Sequence, residues 1–120
     1  MTALLDSAEV LLADLVGFAS ISCLPNDDIV TYIKSYFESH GIEVHLDAHE
    51  DGERFNLFAS IGPVTDGGIL LSGHLDVVPA NPASWSRDPF VLHRENGRLY
   101  GRGAVDMKGF LAIVLAMVPA

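Results

Sequence analysis

The sequence has little of what marks a secreted or nucleic-acid-binding protein. It contains one cysteine, Cys23, in 120 residues, so no internal disulfide can form and nothing points to secretion. Lys and Arg number 7 against 16 Asp and Glu, which gives a formal net charge of -9. This balance argues against nucleic acid or an anionic membrane surface as a partner, and it is compatible with a site that holds cations.

The sequence also has no apolar run long enough to cross a bilayer. The longest, residues 110–118, is far short of the roughly 20 residues that a spanning helix needs. The first residues include Asp6 and Glu9 but no early Lys or Arg, so they lack the basic start of a signal peptide. We therefore expect a cytoplasmic protein. With 49% hydrophobic residues, the chain is expected to fold rather than stay disordered.

Two amphipathic helices are predicted at the start of the chain. The sequence Asp6-Ser7-Ala8-Glu9 resembles a capping box, and apolar residues then recur at helical spacing to about Ser20. Asn26 or Asp27 caps the second helix, for which Gly41 is a suitable C-terminal glycine. The predicted buried stripe of this second helix consists of Ile29, Ile33, Tyr36 and Phe37.

Strands and a last helix follow. Residues 42–47 alternate between apolar and polar, which predicts a half-buried strand, and residues 55–61 are predicted to form a second strand. Ile69–Leu71 is apolar on both faces, as in a central strand covered by helices. Asn96-Gly97 predicts a hairpin between residues 90–93 and 98–100. Residues 108–118 are apolar nearly all round, which predicts a buried helix. Alternating helices and strands, with no domain linker, predict a three-layer α/β/α domain.

The tripeptide His-Leu-Asp occurs twice, in different settings. At residues 45–47 the leucine continues an alternating strand, so His45 and Asp47 are expected to face water. At residues 74–76 the tripeptide follows the apolar strand, at the edge where ligands bind in open α/β sheets. A metal-bound histidine usually donates its other ring N–H to a carboxylate. His74 is therefore a candidate metal ligand oriented by Asp76, although a hydrogen-bonded pair without metal stays open.

A glycine-rich segment, Gly-Arg-Gly-Ala-Val-Asp at residues 101–106, lies between a predicted strand and the last helix. A dinucleotide loop would need glycine where Asp106 stands, and that carboxylate would repel a pyrophosphate. A P-loop would need Gly-Lys-Ser/Thr, whereas the order here is Met-Lys-Gly. Two interpretations of Asp106 remain open on spacing alone, a helix N-cap and a carboxylate bound to a metal.

Three blocks of sequence resemble the M20 family of metal-dependent amidohydrolases and peptidases, in the family's order and spacing. They are Leu-Ser-Gly-His-Leu-Asp-Val-Val-Pro at 71–79, Trp-Ser-Arg-Asp-Pro-Phe at 85–90, and Gly-Arg-Leu-Tyr-Gly-Arg-Gly-Ala-Val-Asp-Met-Lys-Gly-Phe at 97–110. The resemblance implies that His74 binds one metal, that Asp106 bridges two, and that Asp76 is the catalytic residue that orients the ligand. It also implies a cis peptide bond between Asp106 and Met107.

The resemblance further implies a zinc enzyme, with two Zn²⁺ per active site and Co²⁺ possible in their place. The expected substrate is a small N-acylated amino acid, N-acetyl-L-ornithine, which is hydrolysed to ornithine and acetate in arginine biosynthesis. Desuccinylation of a diaminopimelate precursor and dipeptide hydrolysis stay open. The full-length enzyme is expected to be a homodimer, without nucleic-acid or membrane partners.

The sequence departs from the family's pattern in two ways. Leu75 stands where relatives often have threonine. The family's Glu-Glu pair, a further acidic ligand, a distal histidine and the inserted dimerisation domain are absent from residues 1–120. We therefore expect these residues to be the N-terminal part of the catalytic domain, inactive on their own. The alternative of another class is a non-catalytic, truncated module.

Overall fold

The computed structural model of the chain describes residues 2–119. These residues form two compact units, Leu24–Ser72 and the pair of segments Met1–Cys23 and Gly73–Ala120. Both helices and strands are present, which confirms the predicted α/β class; the sheets of the described residues are two antiparallel pairs. The assignment of all 120 residues to one catalytic domain stays a prediction.

The discontinuous unit is built on two helices, α1 (Ala3–Val16) and α3 (Gly109–Met117), which pack against each other. Four of the five residues of the apolar stripe predicted by the spacing are buried, whereas the fifth, Phe18, lies beyond the helix and is only partly buried. Three residues of α3 are buried as well. The buried residues are Ala8, Leu11, Leu12, Leu15 and Val16 of α1 and Ala112, Leu115 and Ala116 of α3. The predicted face of α1 is therefore confirmed.

The predicted start and end of α1 are wrong. The helix begins at Ala3 because the Thr2 hydroxyl accepts a hydrogen bond from the Leu5 N–H at 3.4 Å, so Thr2 rather than Asp6 is the N-cap. It ends at Val16, four residues before the predicted Ser20. Sequence spacing located the apolar face but not the cap, since Ala3 to Leu5 are all compatible with a helix.

Helix α3 has the predicted extent within two residues but not the predicted burial. Phe110, Ile113 and Met117 are each more than a third exposed, at 38%, 46% and 51%. The prediction of a fully buried helix is therefore wrong on this face, because no described residue covers it. Among residues 2–119 no helix is long and apolar enough to cross a membrane.

A hairpin of β3 (His93–Glu95) and β4 (Arg98–Tyr100) completes the discontinuous unit. The strands pair antiparallel, with His93 opposite Tyr100. Asn96 and Gly97 both have positive φ, 51° and 73°, as a two-residue hairpin turn requires. The predicted hairpin is confirmed, but its first strand begins at His93 rather than at residue 90.

The unit Leu24–Ser72 consists of α2 (Asp27–Ser39) packed on the hairpin of β1 (Val44–Ala48) and β2 (Phe55–Ala59). The strands pair antiparallel with Leu46 opposite Leu57. Gly41 has φ 74°, as predicted for the residue that ends α2. The buried face of α2 is Ile29, Val30, Ile33 and Phe37, whereas the predicted Tyr36 is only partly buried.

Asn26 occupies the N-cap position of α2, but its side chain makes no cap hydrogen bond. The side-chain amide instead pairs with the backbone of Phe55, donating from Nδ2 to the carbonyl at 3.0 Å and accepting from the N–H at 2.9 Å. An amide can satisfy both polar groups of one peptide at a strand end in this way. Asn26 therefore ties the start of α2 to β2 rather than capping the helix.

The central strand predicted at Ile69–Leu71 is wrong. These residues form no strand, and their side chains are 90%, 76% and 52% exposed. A central strand needs a hydrogen-bonded neighbour on each side and helices over both faces. Residues 2–119 provide none of these at positions 69–71.

Lys108 is the largest side chain of the whole described chain that is fully buried. Its ammonium group donates to the carbonyl oxygens of Leu15 at 2.8 Å and Phe18 at 2.7 Å, which lie at the end of α1 and just beyond it. Burial lowers the pKa of Lys108 to about 8, so the group stays mainly protonated at neutral pH. A cation at a helix C-terminus also interacts favourably with the helix dipole.

We predict that Lys108→Met lowers the free energy of unfolding by about 2 kcal/mol, because two hydrogen bonds from a charged donor to the carbonyl groups of Leu15 and Phe18 are lost while the side-chain volume is kept. Lys34→Met is the matched control, since Lys34 is partly exposed on α2 and forms a surface ion pair with Glu38, at 2.7 Å. That change should cost less than about 0.5 kcal/mol. Urea unfolding of the three proteins is the measurement, and equal costs for the two variants would contradict the role given to Lys108.

The turn between β1 and β2 is held by Asp51. Its carboxylate accepts hydrogen bonds from the backbone N–H of Glu53 at 2.9 Å and of Arg54 at 3.1 Å, and from Arg54 Nε at 2.7 Å. The Glu53 N–H and then the Arg54 side chain hold the pKa of Asp51 well below its usual value of 3.8. Because the folded pKa is the lower one, this contribution to stability is present above pH 3.8 and is lost as the pH falls through the folded pKa.

We predict that a carbon-detected NMR titration of the Asp51 carboxyl group gives a midpoint below 3.8. Arg54→Gln removes one charged donor and should move the midpoint upward. A wild-type midpoint at or above 3.8, or one that does not respond to Arg54→Gln, would contradict this account of the turn.

Candidate metal centre

A short backbone pairing places the segment that carries His74 and Asp76. Ile21 and Val77 form a parallel bridge, in which the Ser22 N–H donates to the Val77 carbonyl at 2.9 Å and the Val77 N–H donates to the Ser20 carbonyl at 2.8 Å. Val77 is buried, so the bridge anchors one end of the segment in the core. The adjacent His74 and Asp76 are left exposed.

The structure brings together the three site residues predicted from the sequence. His74 Nε2 lies 2.9 Å from Asp106 Oδ1, across 32 positions of sequence. The other ring nitrogen, Nδ1, lies 2.9 Å from the backbone oxygen of Asp76 and 3.2 Å from its Oδ1. All three side chains line one cavity of about 270 Å³. His74 therefore presents Nε2 to Asp106 and is held from behind by Asp76.

The loop that carries Asp106 approaches the bridge closely. Gly103 has φ 84°, and a Cβ atom there would lie 2.5 Å from Val77 Cγ1. The Lys108 N–H closes the loop by donating to the Gly103 carbonyl at 2.8 Å. The peptide bond between Asp106 and Met107 is cis, as the resemblance implied.

The interpretation of Asp106 as a helix N-cap is wrong. Helix α3 begins only at Gly109, and Asp106 has the non-helical torsion angles φ -125° and ψ 92°. Its side chain is largely exposed and meets His74 instead of a helix N–H. The geometry leaves this carboxylate available for a ligand.

The charges of the site reinforce one another. The hydrogen bond with Asp106, and to a smaller degree the contact with Asp76, raises the pKa of the His74 imidazole above its usual value. A hydrogen bond from Ser22, followed by the charge of His74, lowers the pKa of Asp76. The two carboxylates therefore favour a positive charge at the position of His74, either a proton or a cation.

The donor set fits half of a zinc site. An imidazole nitrogen and a carboxylate oxygen are both common zinc ligands, and Asp76 occupies the outer position that a carboxylate usually takes behind a metal-bound histidine. Within residues 2–119, no group of three or more His, Cys, Asp and Glu side chains could hold a metal ion. A complete site therefore needs ligands from elsewhere, and the ligand roles of His74 and Asp106 stay predictions.

The other copy of His-Leu-Asp is placed as expected. His45 and Asp47 are exposed on β1, while Leu46 between them is partly buried against β2. The same three residue types therefore form a solvated strand face in one unit and part of a polar cavity in the other. The two copies differ in their backbone conformation, since residues 45–47 belong to a strand and residues 74–76 do not.

Sequence reasoning missed two residues of the site. Ser22 donates a hydrogen bond from its hydroxyl to Asp76 Oδ2, and no pattern links positions 54 residues apart. Arg102 lines the same cavity, and its guanidinium carbon lies 5.4 Å from the centre of the Trp85 ring. Both Trp85 and Arg102 belong to the blocks that carry the resemblance, which was the available signal for that pair.

Comparison with known proteins accords with this geometry. The profile of peptidase family M20/M25/M40 matches residues 70–120. Acetylornithine deacetylase of Shigella sonnei is 43% identical over 91 residues, which are 75% of this chain and 24% of that protein. The chain is therefore similar to the M20 family over residues 70–120. The crystal structure of human carnosine dipeptidase 1 superposes with a TM-score of 0.77 at 27% identity, over 94% of this chain and 27% of that one.

The chain spans about a quarter of the length of these two proteins. The match with carnosine dipeptidase 1 supports the predicted fold class, an incomplete α/β peptidase domain. The two exposed ends of the site, Nε2 of His74 and the carboxylate of Asp106, lie in the matched region.

We predict that Gly103→Ala destabilises the chain much more than Gly97→Ala. Both glycines have positive φ, so each change costs about 1 kcal/mol of backbone strain. Only at Gly103 would the new Cβ meet a buried side chain, Val77, whereas at Gly97 nothing lies within 4 Å. Urea unfolding should show a cost of about 3 kcal/mol or more at Gly103, and equal costs would contradict the close approach of this loop to the bridge.

Proposed function

We propose that this chain is the N-terminal, metal-binding part of a zinc-dependent amide hydrolase that converts N-acetyl-L-ornithine into ornithine and acetate. The observation that carries the proposal is the convergence of His74 Nε2 and Asp106 Oδ1 at 2.9 Å. The 43% identity with an acetylornithine deacetylase supports this choice of substrate. Co²⁺ is the expected substitute for Zn²⁺.

Each of the three site residues has a defined task in this proposal. His74 would hold the metal through Nε2 and Asp106 through its carboxylate. Asp76 accepts the Nδ1–H of His74 and so selects the ring tautomer whose lone pair is on Nε2. When bound, zinc supplies Lewis-acid chemistry, polarising an amide carbonyl and lowering the pKa of water. The general base is expected to be a glutamate outside residues 1–120.

A second reaction is favoured by the structural comparison. The match with carnosine dipeptidase 1 supports hydrolysis of a dipeptide by the same kind of centre. Removal of a succinyl group from a diaminopimelate precursor is a third reaction of the family. Because the same two ligands serve all three reactions, the choice depends on residues that contact the acyl group and the amine.

The remaining expectations stay predictions from the sequence. They are a homodimeric full-length enzyme, the absence of nucleic-acid and membrane partners, and a cytoplasmic location. The net charge of -9 supports the second of these, because a strongly acidic chain is repelled by polyanions.

We predict that Asp106→Ala in the full-length enzyme abolishes hydrolysis and lowers the bound zinc, because the site loses one of its two converging ligands. Asp47→Ala is the matched control, since Asp47 belongs to the other His-Leu-Asp copy and is exposed on β1. Elemental analysis gives the zinc content, and assays use N-acetyl-L-ornithine, N-succinyl-diaminopimelate and a dipeptide. The 120-residue chain alone should be inactive on all three.

Each outcome separates the alternatives. Turnover retained in Asp106→Ala would exclude the ligand role of Asp106. Hydrolysis of the dipeptide or of the succinylated substrate in preference to N-acetyl-L-ornithine would keep the metal centre and replace the substrate. A full-length protein that hydrolyses none of them would leave the non-catalytic module as the better description.

A further inference from the structure

The carboxylate of Asp76 is shared between two partners. Its Oδ1 lies 3.2 Å from His74 Nδ1, and its Oδ2 accepts a hydrogen bond from the Ser22 hydroxyl. Each oxygen therefore has a separate task, one toward the ring and one toward a residue more than fifty positions earlier. Ser22 lines the same cavity as His74, Asp76 and Asp106.

We propose that Ser22 is a positioning residue of the metal centre, whose hydroxyl fixes the Asp76 carboxylate and through it the imidazole of His74. The inference rests on the proposed function for the presence of a metal, but not for the identity of the substrate. It goes beyond the residues predicted from the sequence, since Ser22 lies outside the blocks that resemble the M20 family and outside the region matched by its profile.

The Ser22 hydroxyl is held by backbone that cannot easily shift. The Ser22 N–H donates to the Val77 carbonyl at 2.9 Å, and the Ile21–Val77 bridge fixes the residues on both sides. The hydroxyl also lies 3.3 Å from the Val77 carbonyl oxygen. It has only one proton, and a carboxylate is the stronger acceptor, so that proton goes to Asp76.

The Asp76 carboxylate needs such a partner because it is not enclosed. Its side chain is 53% exposed, so without Ser22 it would rotate and exchange its contacts for water. A histidine whose orienting carboxylate is free to turn loses its preferred tautomer and ring direction for part of the time. If these groups are already ordered, less conformational entropy is lost when the metal binds.

The chain offers a matched control two residues away. The Ser20 hydroxyl donates to the Leu75 carbonyl at 2.7 Å, so it links the same two segments beside the same bridge. Ser20 is buried and does not touch Asp76. A purely structural role of these serines should therefore be at least as evident at Ser20 as at Ser22.

The test measures zinc affinity of the full-length enzyme by competition with a chromogenic chelator, without substrate. Loss of a partner behind a metal ligand typically weakens metal affinity about 10- to 100-fold. We expect Ser22→Ala to raise the dissociation constant for zinc about tenfold, the low end of that range, since Ser22 acts through Asp76. Ser20→Ala should change it less than about twofold, whatever its effect on the urea midpoint.

Two further comparisons isolate the hydroxyl group. Ser22→Thr and Ser22→Val have the same shape and differ in the hydroxyl, so Thr should keep near wild-type affinity and Val should lose it. This pair also decides the question if Ser22→Ala is poorly folded. In the Asp76→Ala background, Ser22→Ala should cause no additional loss, because the group through which it acts is gone.

Three results would overturn the proposal: unchanged zinc affinity in Ser22→Ala, equal affinities of the Thr and Val variants, or a full additional loss in the Asp76→Ala background. Failure of the proposed function looks different. If the enzyme binds zinc but does not hydrolyse N-acetyl-L-ornithine, only the proposed substrate is rejected. The zinc affinities of the variants can still be compared. A wild-type enzyme that binds no zinc overturns the metal centre and Ser22's role in it together.

Discussion

The buried ammonium group of Lys108 connects the parts of the chain on which the candidate site depends. It bonds the carbonyl oxygens of Leu15 and Phe18, at the point where α1 ends and the chain turns toward Ser22. Lys108 itself closes the loop that carries Asp106. Lys108 therefore links the end of α1, which precedes Ser22, to the loop that carries Asp106. A cation can be buried here because two carbonyl oxygens converge on it and supply hydrogen-bond acceptors in place of water.

That connection explains why an ordered cluster of polar side chains can form at an exposed position. His74, Asp76 and Asp106 all have side chains about half exposed or more, so they are not fixed by packing of their own. The backbone that carries them is held instead by the buried Val77 and by Gly103, which packs against Val77. The exposed groups are free to meet a ligand, while the residues that position them are among the most buried of the chain.

The sequence predicted much of this arrangement and failed where the outcome depends on distant partners. Local patterns were sufficient for the apolar face of α1, the Asn96-Gly97 hairpin and the end of α2 at Gly41. The pairing of His74 with Asp106 came from a resemblance whose motifs encode a non-local contact. Apolarity was a poor guide to burial at Ile69–Leu71, because burial needs neighbouring strands that the described residues do not supply.

Ser22 and Lys108 show a different limit. A serine after an apolar helix and a lysine before another have no distinctive local pattern. The partner of Ser22 lies 54 positions away, and those of Lys108 lie 90 and 93 positions away. Polar groups that act by long-range hydrogen bonds leave no periodicity in a single sequence. Only the folded structure brings such donors and acceptors together.

The two copies of His-Leu-Asp show that the backbone conformation, and not the tripeptide itself, decides which contacts the side chains make. In β1 the alternation of the strand directs His45 and Asp47 to one solvated face. At residues 74–76 the chain is not in a regular strand, and Nδ1 of His74 can reach both the backbone and the carboxylate of Asp76. The irregular backbone turns the ring so that Nε2 faces Asp106. Departure from regular structure thus distinguishes the copy at the candidate site from the copy on the strand.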